Sequence, residues 1–280
     1  MTTSHDRALT GPLEGRALTL DYGGQPIVDG LDLRIPAGAV TVLVGANGCG
    51  KSTLLKAFAR LLRPRQGVVV LNGQDIRSKP TVQVARELAI LPQTPVAPEG
   101  LTVQQLVRMG RYPHQGWLRQ WTREDHDKVE SVLAATGLAE FRDRPVDALS
   151  GGQRQRAWIA MTLAQDADIL LLDEPTTYLD LAHQIDVLDM IDGLNASLGK
   201  TVVMVLHDLN LAARYGHHLV ALRQGRVHAQ GRPVDILNEA LVQQVFGLAC
   251  RIVPDPVYGS PLCIPLDRRQ SARRSQAVPS

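Results

Sequence analysis

A glycine-punctuated loop constrains this chain more than any other feature in it. Gly45, Ala46, Asn47, Gly48, Cys49, Gly50, Lys51, Ser52 and Thr53 satisfy the pattern G-x-x-x-x-G-K-[ST]. Residues 40–44, just before, form a continuous apolar run, as in a strand buried on both faces. Residues 53–62, just after, have a helical pattern that Pro64 halts. Strand, bare-backbone turn and helix in that order aim successive N–H groups at one point, at the positive end of the helix. That makes a nest for a polyphosphate. Lys51 is then placed to reach the β- and γ-phosphates, and Ser52 to offer its hydroxyl to Mg2+. An ordinary Gly-rich turn with an exposed lysine could share the spacing, but not the strand and helix on either side.

Residues 169–172, all Ile or Leu, run into two adjacent carboxylates, Asp173 and Glu174. On their own, two acids after a strand are usually a turn or a helix cap. Beside a phosphate loop, Asp173 can hold the water shell of the cation and Glu174 can polarise an attacking water. Moving a phosphoryl group needs positioning and electrostatic clamping more than covalent chemistry. His207 closes another apolar run, residues 202–206. A lone histidine there is more often a packed turn residue. As the end of a third parallel strand it gains interest, because ligands bind where such strands end.

Elsewhere the chain alternates in character. Residues 17–35 hold short apolar runs broken by Gly23, Gly24 and Gly30, as in antiparallel strands. Residues 68–71 read as a strand ending in the turn Asn72-Gly73, and residues 223–226 as a hairpin turn. Residues 94–149 turn helical. Pro95, Pro98 and Gly100 make the entrance, Thr102 caps one helix, Thr122 with Asp125 resembles a capping box, and Gly137 fits a stop. The expected fold is α/β: a phosphate-loop core with a parallel sheet, an N-terminal antiparallel β subdomain and an inserted α-helical subdomain.

Leu149, Ser150, Gly151, Gly152 and Gln153 precede a further helical pattern. A hydroxyl, two glycines and a helix start make a second phosphate-binding element. One chain scarcely needs two such elements for one nucleotide. The economical solution is a head-to-tail pair, each copy covering the other's phosphate loop.

With this set in order along nearly the whole chain, the sequence resembles the ATP-binding subunits of ABC transporters. The resemblance implies ATP and Mg2+ as cofactors and a homodimeric ATPase. It places Tyr22 where an aromatic ring stacks on adenine, makes Gln93 a sensor of the γ-phosphate and a ligand to the metal with Ser52 and Asp173, and makes Glu174 the catalytic glutamate. Ser150, Gly151, Gly152 and Gln153 become the signature, Asp180 closes the segment after Glu174, and His207 is the switch histidine. It also implies integral membrane permease subunits gripped by the helical insert, a substrate-binding protein upstream, and a place on the cytoplasmic face of the cell membrane. On this reading residues 1–14 are a leader and residues 15–250 the ATPase domain, with its insert at about 94–165. Residues 251–280 are an extension, with a small strand-rich cap over 251–265 and a disordered end. Gly110, Arg111, Tyr112, Pro113 and His114, with Thr176, Thr177, Tyr178, Leu179, Asp180, Leu181, Ala182, His183 and Gln184, look like the iron(III)-siderophore importers. Cobalamin and haem importers share the general layout and are the alternative cargo. Cys49 stands where many members carry serine, so a bulky thiol reagent is expected to block nucleotide binding.

Composition narrows the rest. Lys and Arg number 30 against 28 Asp and Glu, a formal charge of +2, so no global field points to nucleic acid. With no long coiled-coil insert and no second cassette, a soluble ABC ATPase of nucleic-acid metabolism is the weaker alternative. A non-catalytic cassette would not need Lys51, Asp173, Glu174 and His207 together. The basic cluster Arg268, Arg269, Arg273 and Arg274 reads as a solvated tail. Three cysteines, Cys49, Cys250 and Cys263, neither pair evenly nor show C-x-x-C spacing, which fits a reduced, cytosolic setting. There is no signal-peptide pattern and no run of 18 apolar residues to span a bilayer.

Overall fold

A computed structural model describes residues 11–115 and 121–267. The first ten residues of the expected leader and the arginines of the basic tail lie outside them. The chain opens with antiparallel strands β1 (Leu13–Leu20) and β2 (Val28–Ile35), and then β3 (Val40–Val44), the loop and helix α1 (Lys51–Phe58). Next come β4 (Gln66–Leu71), β5 (Gln74–Asp75), α2 (Thr81–Glu87) and β6 (Leu88–Leu91). A helical lobe follows: α3 (Val103–Met109), α4 (Arg123–Ala135) and α5 (Gly151–Ala164). The core resumes with β7 (Ile169–Leu172), α6 (Leu181–Leu198), β8 (Thr201–Val205), α7 (Leu209–Tyr215), β9 (His218–Arg223) and β10 (Arg226–Gly231). Helices α8 (Pro233–Ile236) and α9 (Glu239–Phe246) and the hairpin β11 (Cys250–Pro254) and β12 (Pro261–Pro265) end the described chain.

Two sheets carry the architecture. An antiparallel sheet runs β2-β1-β4-β5, and a six-stranded sheet runs β10-β9-β3-β8-β7-β6. In the second, β9, β3, β8, β7 and β6 are parallel, and β10 folds back antiparallel on β9. The apolar runs of β3, β7 and β8 have a direct cause. Successive side chains of a strand point to opposite faces, and here both faces are buried. Val42, Leu170, Leu172, Val202 and Met204 join the core shared with the helical lobe. Leu43, Ile169, Leu171, Val203 and Val205 join the core shared with α1 and the antiparallel sheet.

Local chemistry sets the ends of the lobe's helices. Thr102 with Gln105, Thr122 with Asp125 and Ser150 with Gln153 each close a reciprocal capping box at the starts of α3, α4 and α5. Arg111 is buried and pairs with Asp125 at 2.9 Å, and it also donates to the Ala164 carbonyl at 2.9 Å. Burial would raise the Asp125 carboxyl, but bonds from Thr122 and Arg111 outweigh it and hold the group below its usual range. His114 Nε2 lies 2.8 Å from the Gln165 carbonyl, so the segment after α3 is tied to the end of α5 twice.

Several expected boundaries move. Strand β1 takes in Leu13 and Glu14, the last two residues of the expected leader, because Leu13 is buried between Ile35 and Leu71 on its neighbours. Helix α1 begins at Lys51 and ends at Phe58, with Arg60 in left-handed backbone ahead of Pro64. Helix α2 and strand β6 occupy a stretch for which periodicity had suggested no element. In the C-terminal hairpin, which packs on α7 and α9, Cys250 and Cys263 are buried in the core.

Candidate functional site

The loop after β3 owes its shape to two glycines that no other residue could replace. Gly45 has φ 149°, and a Cβ there would lie 2.3 Å from the Leu222 carbonyl oxygen. Gly50 has φ 105°, and its Cβ would lie 2.8 Å from Val28. Lys51 folds back across the turn they create. Its Nζ donates to the Gly45 carbonyl at 2.8 Å and the Ala46 carbonyl at 3.1 Å. The Cys49 thiol is also underneath, 6% exposed and 3.9 Å from Lys51 Nζ. A thiol reagent therefore meets a shielded sulfur, and the expected block of nucleotide binding requires the loop to open first.

Over the loop lies a cleft of about 510 Å³, lined by Asn47, Gly48, Gly50, Lys51, Ser52, Thr53, Gln93, Glu174, Thr177, Tyr178, His207 and Ile27. The strand order explains the gathering. Strands β3, β8, β7 and β6 are successive neighbours, and their carboxyl ends deliver the loop, His207, the two acids and Gln93 to one edge.

Asp173 is 4% exposed and accepts from Ser52 Oγ at 2.9 Å. Burial, and then the charge of Glu174, raise its carboxyl, although the Ser52 bond opposes them. Glu174 is held from three sides. His207 Nε2 is 2.6 Å from Oε1, while Thr177 Oγ1 at 2.9 Å and Gln93 Nε2 at 2.7 Å both donate to Oε2. Because an ionised carboxylate only accepts, the His207 ring proton sits on Nε2. Burial works against the Glu174 charge, but these three bonds outweigh it and leave the carboxyl below its ordinary range. Glu174 also sits at φ 54°, an uncommon backbone for a residue with a Cβ.

These donors fit Mg2+ in company with phosphate. Ser52 and Asp173 supply two adjacent oxygens, and the Gln93 carbonyl oxygen remains to be offered. Among the described residues no group of three or more His, Cys, Asp or Glu could hold a metal alone. A cation here would complete its shell with phosphate and water oxygens, as Mg2+ ordinarily does.

Other expected site residues stand apart. Tyr22 is 60% exposed with Lys56 Nζ 5.9 Å from its ring centre, and Ile27 lines the cleft in its place. Ser150, Gly151, Gly152 and Gln153 start α5, and Asp180 caps α6; neither group lines the cleft. Sequence reasoning used Thr177 only as part of the importer-like segment 176–184 and gave it no place in the site, although a hydroxyl three residues past Glu174 in a turn was a readable signal. Nothing in the sequence marked Ile27 or Tyr178 as cleft residues.

Comparison with known proteins agrees with this geometry. The family model described as ABC transporter matches residues 28–177. The chain is 60% identical over 263 residues to the achromobactin transport ATP-binding protein CbrD of Dickeya dadantii (strain 3937), covering 94% of this chain and 98% of that one. It is 60% identical over 251 residues to a protein named probable siderophore transport system ATP-binding protein YusV in Bacillus subtilis (strain 168), covering 90% and 91%. Among solved structures, a dimeric ATP-binding cassette in a post-hydrolysis state with ADP and Pi matches with a TM-score of 0.69 at 26% identity. That match covers 79% of this chain and 98% of the other.

Proposed function

This chain belongs to the ABC transporter ATP-binding family, and we propose that its ATP hydrolysis powers a membrane importer of iron(III)-siderophore complexes. The convergence of Lys51, Ser52, Asp173, Glu174, Gln93 and His207 on one cleft carries the ATPase part. The cargo class is supported by chain-length similarity to ATP-binding proteins of siderophore transport.

In this reading Lys51 exchanges the Gly45 and Ala46 carbonyls for the β- and γ-phosphates. The backbone N–H groups of the loop, Asn47 and Gly48 among them, cradle the same phosphates, and Tyr22 supplies a rim for adenine. Ser52, Asp173 and Gln93 would hold Mg2+, which supplies neutralisation of charge on the phosphates. Glu174, ionised and fixed by His207, Thr177 and Gln93, orients and polarises the water that attacks the γ-phosphate. His207 keeps that carboxylate aimed. Because Gln93 donates to Glu174 from the rim of the cleft, movement of the helical lobe would be felt at the catalytic carboxylate.

The helix start at Ser150–Gln153 does not line its own cleft, which supports a head-to-tail homodimer in which it serves a second copy. Among the described residues no helix is long and apolar enough to cross a membrane. In this reading the chain works docked on permease subunits at the cytoplasmic face, with a binding protein delivering the chelate from the other side. The test is uptake of radio-iron from a ferric siderophore in cells whose native copy is replaced by wild type or Lys51→Ala. Loss of uptake with the variant alone is expected. Unchanged uptake in cells without other iron importers would remove the cargo assignment, and cobalamin and haem would be tried next.

A further inference from the structure

Two motif segments outside the cleft touch each other. Gly152 is the second residue of α5, and a Cβ on it would lie 2.3 Å from Cδ2, 2.9 Å from Cγ and 3.2 Å from Nε2 of His183. Gly151 differs, because the nearest atom to a Cβ there is Leu179 Cδ2 at 3.9 Å, an ordinary contact. The two glycines therefore answer different demands: Gly151 leaves its surface bare, and Gly152 makes room for an imidazole.

That imidazole is held in place. The His183 backbone N–H and ring Nδ1 both meet Asp180 Oδ1, at 2.9 and 2.7 Å, and the same carboxylate caps α6. A carboxylate oxygen only accepts, so Nδ1 carries the proton. The ring cannot swing clear of Gly152 without giving up its bond to Asp180. A side chain at position 152 would thus be felt at Asp180, which is 28 positions along the chain but joined to Gly152 by one aromatic ring.

We propose that His183 is a positioning residue: its ring, pinned by Asp180, is the seat on which the Gly152 end of α5 rests, so that Asp180 and the Ser150–Gln153 helix start are presented to a second copy as one unit. This rests on the reading that the helix start serves a second copy's phosphates. In a helix, alanine is otherwise favoured over glycine, so any penalty for Gly152→Ala comes from the ring.

The test is a double-mutant cycle on the full chain: wild type, Gly152→Ala, His183→Ala and the double variant. Each is measured for Tm, for ATP affinity of the single copy, and for ATP-driven pairing in a Glu174→Gln background by sedimentation. With His183 present, Gly152→Ala should lower Tm by about 2–4 °C and weaken pairing about tenfold, with ATP affinity unchanged. With His183→Ala, the same change should raise Tm and cost no further pairing. A fall in Tm of the same size in both backgrounds would overturn the contact. A reversal in Tm alone, with equal pairing losses in both backgrounds, would leave the contact as packing and overturn the positioning role. If Glu174→Gln itself fails to pair with ATP, the head-to-tail reading falls and the positioning role falls with it, whereas the Tm cycle still decides the contact.

Discussion

Replacing Glu174 with glutamine probes the site at its most heavily bonded group. The change keeps the shape of the side chain but removes the charge that three donors now address: His207 at 2.6 Å, Gln93 at 2.7 Å and Thr177 at 2.9 Å. An amide can still accept on one oxygen, so those bonds become neutral ones or are rearranged. Hydrogen bonds to a charged group contribute about 1.5–3 kcal/mol each and neutral ones about 0.5–1.5. The repulsion of Asp173, which now raises that carboxyl, is relieved in return. The expected net cost is about 1–2 kcal/mol, or about 2–8 °C in Tm for a chain of this size. Catalysis should suffer far more. A positioned general base contributes about 10²–10⁴-fold, so kcat at saturating MgATP should fall by that factor while ATP affinity stays within about threefold. The assay is phosphate release together with nucleotide binding by calorimetry. A kcat within threefold of wild type would refute the assignment of Glu174 as the activating carboxylate.

Two more outcomes are expected. Arg111→Ala strands the buried Asp125 charge, which should cost about 3–5 kcal/mol and lower Tm by about 10 °C at neutral pH. Because Asp125 is held below its ordinary range, the pair's contribution is complete above the free carboxylate pKa of about 3.9 and is lost as pH falls through the depressed value. The gap between variant and wild type should therefore narrow in acid, and a gap that did not change with pH would remove the ion pair as its cause. Cys49 should react with a maleimide far more slowly than an exposed thiol, and more slowly still with MgATP, as read by mass spectrometry; fast labelling without loss of nucleotide binding would contradict the burial of its sulfur under the loop.

Legibility followed the range of the forces involved. The phosphate loop could be read because its parts are neighbours in the chain: a buried strand, glycines free to take positive φ, and the first turn of α1. The capping boxes at Thr102, Thr122 and Ser150 are equally local, although Ser150 with Gln153 could have been recognised as one of them from its spacing alone. Helix α2 escaped because it buries only Val84, leaving almost no apolar period to detect. Strand β6 escaped because it follows α2 without a break, Glu87 running straight into Leu88, so no turn residue bounds its short apolar run. The motif list sets Ser150–Gln153 against a second copy but gives no such separation for Tyr22 and Asp180, and a single copy keeps all three out of its cleft. That separation is invisible in a motif, which records order and not distance.

The sequence by itself determined which side chains could bind a nucleotide and hydrolyse it, because residue type and short-range spacing decide whether a backbone can cradle phosphate or a strand can end in a carboxylate. It also determined where most helices of the lobe begin. Only the tertiary structure decided that Gln93 and Glu174, 81 residues apart, share a hydrogen bond, that Lys51 turns inward on its own loop, and that His183 fills the space Gly152 leaves. The physical reason lies in the sheet. The order β3-β8-β7-β6 is set by which strands can bury both faces against the two cores. That choice is a property of the whole packed chain and of no segment within it.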